Sequence, residues 1–88
     1  MEIGRVVFSK AGKDKSRAFI VVSFEGEYVF LADGSSRPIK KPKKKKTKHI
    51  QPTNVYIEEI RNKLENNLHI NDADIRKALL PYSRNEGV

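Results

Sequence analysis

The sequence predicts an α+β fold in which about four short strands are followed by two short helices. Residues 1–50 hold runs of β-branched and aromatic residues separated by Gly, Asp and Ser. Beyond Thr53 the apolar residues recur instead at steps of three and four. The charge divides at nearly the same place: residues 1–50 hold 13 Lys+Arg and 5 Asp+Glu, whereas residues 51–88 hold 5 and 6.

Residues 3–8 are apolar and β-branched apart from Gly4 and Arg5, which suits a first strand. Residues 9–16 form a polar loop turning at Gly12 and Asp14, too long for a two-residue hairpin. Residues 17–24, with Phe19, Ile20, Val21, Val22 and Phe24, give the strongest strand signal. Glu25-Gly26 supplies a turn, and residues 27–32 return with Tyr28 and Phe30 on one side and Val29 and Leu31 on the other. Pro38 and Pro42 break any ladder through the lysines that follow, and residues 47–51 supply a last short strand. Phe8, Phe19, Phe24, Tyr28 and Phe30 are expected mainly in the core.

Ile57, Ile60, Leu64 and Leu68 mark one face of a helix capped by Thr53 or Asn54, with Glu58 and Glu59 near its positive end. Residues 67–71 interrupt it. Asn71 and Asp74 have capping-box spacing, opening a second helix with Ile75, Ala78, Leu79 and Tyr82 that stops near Pro81. The domain division expected is 1–52 for the strands and 53–88 for a helical extension, in which Ile57, Ile60, Leu64, Ile75 and Leu79 are buried.

The 88 residues carry a net charge of +7 and contain no Cys and no Trp. A chain of this size buries about 64% of its unfolded surface, so its core is small. The absence of Cys excludes disulfides, thiolate metal sites and a Cys nucleophile. No apolar run approaches a membrane span, and Gly4 and Arg5 interrupt any leader-like segment at the start. These features predict a soluble, cytoplasmic polyanion-binding module that does not act on membranes.

Catalytic signatures are missing. His49 and His69 have no third ligand at metal spacing, and Arg76 stands where a calcium loop begun by Asp72 and Asp74 needs an oxygen. A phosphate loop at Gly12-Lys13 would need Gly at Val7 and Ser or Thr at Asp14. The expectation is a non-enzymatic protein without cofactor or metal.

Two basic segments carry the chemistry. Lys10, Lys13, Lys15 and Arg17 surround Gly12, whose bare backbone lets N–H groups approach phosphates. The alternative is a solvated hairpin tip. Lys40, Lys41, Lys43, Lys44, Lys45, Lys46 and Lys48 put seven lysines into nine residues, 40–48. Their repulsion predicts an extended, poorly ordered segment until an anion neutralises it. Nucleic acid is the natural partner, since each contacted phosphate releases counterions. A solubility segment, a nuclear-import signal and an acidic membrane patch are the alternatives. RNA suits a flexible lysine segment and a small sheet edge, and Tyr28 and His49 are the aromatic groups placed to touch a base.

Residues 4–22, GRVVFSKAGKDKSRAFIVV, resemble a KOW motif: apolar strand, loop with a Gly, a basic residue shortly after, apolar strand. Gly12 matches the loop Gly and Lys15 the basic position, while Ser16 stands where the family often has Gly. Residues 28–34, YVFLADG, and 48–53, KHIQPT, resemble the continuation in the L-fourteen-e large-subunit ribosomal proteins. The whole chain is similar to small bacterial KOW-domain relatives. The resemblance implies a small SH3-like β-barrel that binds ribosomal RNA, with Gly12, Lys13 and Lys15 at the contact, in ribosome structure, assembly or translation. The expected RNA-binding set is therefore Lys10, Gly12, Lys13, Lys15, Arg17, Lys43, Lys44, Lys45, Lys46, Lys48 and His49. The competing expectation is a protein-interaction module that docks a translation or transcription factor, with protein contacts through the C-terminal helices.

Overall fold

The computed structural model describes residues 2–82. Five strands, β1 (Arg5–Ser9), β2 (Ala18–Glu25), β3 (Tyr28–Ala32), β4 (Lys43–Lys46) and β5 (Ile50–Tyr56), precede two helices, α1 (Glu58–Glu65) and α2 (Asp72–Leu79). The strands form one antiparallel sheet in the order β4-β3-β2-β1-β5. The fold is α+β, with the strands preceding the helices as expected.

Alternation along the strands sends side chains to two different cores. Val7, Phe19, Val21, Val29, Leu31 and Ile50 fill one face. Val6, Ala18, Ile20 and Ala32 face the other way and pack with Ile60, Ile70, Ile75 and Leu79. This is why residues 18–22 read as a continuous apolar run: the middle of the sheet is covered on both sides. The helices are therefore part of the core.

The connection between β4 and β5 dictates strong curvature. These strands lie at opposite edges of the sheet, about 19 Å apart if it were flat. Only a 3-10 turn, Thr47–His49, joins them. Four Cα steps reach at most about 15 Å, so the sheet must curl to bring its edges together. Register breaks in β5, where residues 53–55 oppose Val6 alone, and in β2, where Val22 is the extra residue between Val21 and Ser23, supply bends. Among the described residues no ladder joins β4 to β5, and the sheet stays open.

Two glycines admit the helices. A Cβ on Gly4 would lie 2.6 Å from Cβ of Arg61 in α1, and one on Gly34 would lie 2.3 Å from the carbonyl oxygen of Asp72 in α2. The Arg76 guanidinium donates to the Gly34 carbonyl, and the Asp72 carboxylate accepts from the Ile39 N–H at 2.7 Å. Asn71 and Asp74 form the expected capping box. Asn67, at φ 56, ends α1: its N–H donates to the Leu64 carbonyl while that of Leu68 reaches Lys63, satisfying the terminal carbonyls.

Several expectations are corrected. The last strand, expected at residues 47–51, differs: the lysines form β4, residues 47–49 turn, and β5 runs from Ile50 to Tyr56. Helix α1 starts after Ile57, so neither Thr53 nor Asn54 caps it. The Thr53 hydroxyl instead donates to the Val6 carbonyl at 2.6 Å, tying β5 to β1. The division at 52/53 therefore falls inside a strand, and residues 83–88 of the expected helical extension lie outside the described residues. The β2–β3 turn is Gly26-Glu27, one residue later than expected. Phe24 is 50% exposed because it lies beyond the bulge, towards the hairpin tip. Leu68, past the end of α1, is 55% exposed. Ile57 and Leu64 are only partly buried, whereas Ile60, Ile75 and Leu79 are in the core.

Candidate nucleic-acid interface

Strand period divides the lysine run. Lys43 pairs with Leu31 and Lys45 with Val29, so both share the face that carries Val7, Phe19 and Val21; Lys44 and Lys46 pair with Phe30 and Tyr28 on the other face. The inward pair is held by protein groups. Lys43 Nζ lies 3.0 Å from Asp14 Oδ2, and Lys45 Nζ donates to Ser9 Oγ at 2.6 Å and to the Ala11 carbonyl at 3.1 Å. Ser9 ends β1 and Asp14 lies in the 3-10 turn Gly12–Asp14 that follows. Lysine side chains thus link the β4 edge to the far side of the curled sheet, where no backbone ladder does. The expected disorder of this segment is corrected: β4 is a paired strand, and three of its four ammonium groups, those of Lys43, Lys45 and Lys46, have protein partners.

Asp14 is the hub of this arrangement. It is buried, and it meets Lys43, Arg37 at 3.4 Å and Arg17 at 4.0 Å. Burial pushes its carboxyl up, but the hydrogen bonds and charges of Lys43 and Arg37 outweigh that and hold it below the usual 3.8. A second buried carboxylate, Asp33, accepts from Arg17 Nη2 at 3.0 Å and from the backbone N–H groups of Ser35 and Arg37. Lys45 is pulled below the usual 10.5, first by its own burial and then by the neighbouring Lys43 charge.

A shallow groove of about 560 Å³ opens along β4, lined by Ala11, Gly12, Tyr28, Lys43, Lys44, Lys45, Lys46 and His49. The Gly12 loop, the lysine strand and both expected aromatic groups therefore meet at one place. Gly12 is exposed at φ +77 and a Cβ there would touch nothing within 4 Å, so its backbone forms an open crest. Lys44 Nζ sits 4.4 Å from the centre of the Tyr28 ring. The His49 carbonyl accepts from the Lys10 N–H at 2.8 Å, which anchors the 3-10 turn to the start of the Gly12 loop.

The expected site residues separate into two groups. Lys10, Lys13, Lys15, Lys44 and Lys48 are exposed and make no ion pair among the described residues. Arg17, Lys43 and Lys45 are engaged by protein groups, and Lys46 lies 3.8 Å from Glu27. Lys10, Lys13, Lys15, Arg17 and Lys48 do not line the groove itself. Sequence reasoning missed Asp14, Asp33 and Arg37 as organising residues. A lone acid among the basic residues of the loop is the signal for Asp14, which the sequence alone assigns only to the turn.

Among the described residues no cluster of three His, Asp or Glu side chains has the geometry to hold a metal ion. Comparison with protein-family models gives no match to this chain, and comparison with curated proteins gives none.

Proposed function

We propose that this protein is a non-enzymatic RNA-binding module that engages ribosomal RNA, in ribosome structure, assembly or translation. The observation that carries the reading is the convergence of the Gly12 crest, the β4 lysines, Tyr28 and His49 on one groove. Five exposed lysines of the expected set, without acidic partners among the described residues, provide phosphate contacts, and two aromatic groups provide base contacts. The resemblance of residues 4–22 to a KOW motif points to the same partner, and an RNA partner of this kind implies a cytoplasmic site of action.

The finer fold belongs to the same proposal. The strand order, the bends in β5 and β2 and the 3-10 turn before β5 support an SH3-like barrel of the KOW type. Lysine side chains then take part in closing it.

Docking of a translation or transcription factor is the second reading. It is favoured by a cleft of about 350 Å³ between the helices, with Ile57, Ile60 and Ala78 rimmed by Glu59, Lys63, Asp74 and Lys77.

Co-sedimentation with ribosomal subunits tests the first reading. The protein is expected to travel with a subunit at moderate salt and leave it at high salt. Equal, weak binding to ribosomal RNA, duplex DNA and acidic vesicles would overturn it. Binding to subunits that persists at high salt and survives loss of the exposed lysines would favour the helical cleft.

A further inference from the structure

We propose that the groove takes one unstacked nucleotide of single-stranded RNA, its base on Tyr28 beside His49 and a flanking phosphate on Lys44. This rests on the RNA reading above and goes beyond it by assigning the conformation of the RNA.

Four features point to an unpaired base. Among the described residues Tyr28 and His49 are the groove residues with π systems, and both are half-buried, so part of each side chain stays reachable. The space of about 560 Å³ is in the range of small-ligand pockets and suits a single nucleotide. A duplex keeps its bases stacked and offers this groove only phosphates and sugars, whereas a splayed base can lie on a ring. Finally, Lys44 rests over the Tyr28 ring and has no carboxylate partner among the described residues. Its ammonium is free to leave the ring for a phosphate as the base takes its place, so the attraction is exchanged rather than lost. The bare Gly12 crest allows the sugar–phosphate chain to pass close to the backbone.

The test is fluorescence anisotropy with a short single-stranded oligoribonucleotide and with the same strand annealed to its complement, at matched salt. The wild-type protein is expected to prefer the single strand. Tyr28→Leu should lower single-strand affinity roughly 5- to 100-fold, leaving duplex affinity and the salt slope unchanged, while Tyr28→Phe keeps the preference. Equal wild-type affinity for both forms, or a Tyr28→Leu protein with unchanged single-strand affinity, overturns the nucleotide site and leaves the RNA reading standing. Absence of binding to either RNA overturns both. Thermal melting reports whether Tyr28→Leu folds. A second measurement needs no variant: photocrosslinking of iodouridine-containing single strand to the wild-type protein should map to Tyr28 or His49. Crosslinks confined to residues 58–82 overturn the site.

Discussion

Replacing Lys44 and Lys48 by Ala, and separately replacing Lys43 and Lys45 by Ala, removes two positive charges from the same short segment each time. A protein in which the lysines act only as a charged run would respond alike to both changes. The structure predicts opposite responses. Lys44 and Lys48 are exposed and make no ion pair among the described residues, so the first pair should alter stability by no more than about 1 kcal/mol, including the Lys44–Tyr28 contact. Their loss removes two of the five exposed lysines of the expected RNA-binding set. The log–log salt slope for single-stranded RNA should fall in magnitude from roughly 3.5 to roughly 2.1.

The second pair behaves differently. Without Lys43 the buried Asp14 keeps only Arg37 at 3.4 Å and Arg17 at 4.0 Å, and without Lys45 the buried Ser9 hydroxyl and the Ala11 carbonyl lose a charged donor. Hydrogen bonds to charged groups contribute about 1.5–3 kcal/mol each. Relief of the Lys45 burial penalty and the one-third exposure of Lys43 offset part of this, so the net loss is about 2–4 kcal/mol. In a domain of this size that lowers Tm by roughly 10–25 °C. Below its melting point the variant should keep a salt slope within about one contact of wild type. Thermal denaturation followed by circular dichroism and anisotropy titration over a salt series measure both quantities. Equal changes in Tm and slope for the two variants would refute the division of the lysines by strand face.

Gly34→Ala should destabilise the protein by about 3–5 kcal/mol in urea unfolding, because its Cβ overlaps backbone of α2 and its φ of +77 disfavours a side chain. A loss below about 1 kcal/mol would mean that α2 does not dock there. Ser16→Gly should stabilise by about 0.5–1 kcal/mol, since Ser16 adopts φ 71; an unchanged unfolding midpoint would contradict that backbone conformation. Asp14 titrates lower in the folded chain than its ordinary 3.8, so its ion pairs contribute fully above that value. The contribution is lost as pH falls through the folded value. Asp14→Asn should therefore flatten the acid limb of the stability profile, and an acid limb as steep as wild type would remove Asp14 as its source.

Much of the local structure was legible in the sequence because it depends on near neighbours. The strand core at residues 18–22, the capping box at Asn71 and Asp74, the acidic first turn of α1 and the order of strands before helices all follow from short-range propensity and spacing, whereas the boundary expected at residue 53 lies inside β5. The clustering of positive charge in residues 10–17 and 40–48 was equally plain. Ser16 marked a departure from the KOW pattern, and it proves to hold a left-handed backbone.

The tertiary structure decided what each charge does. Nothing in four consecutive lysines tells odd from even; the register of β4 against Leu31, Phe30, Val29 and Tyr28 does. That register turns Lys43 and Lys45 towards Asp14, Ser9 and Ala11, residues about 30 positions away that meet them only because the sheet curls. The same curl brings Gly12, Tyr28 and His49 to one groove. By itself the sequence determined that this is a basic α+β chain with its charge in two places. Long-range pairing then chose which lysines hold the fold and which remain open to a phosphate, because a side chain's partner depends on the face its strand presents.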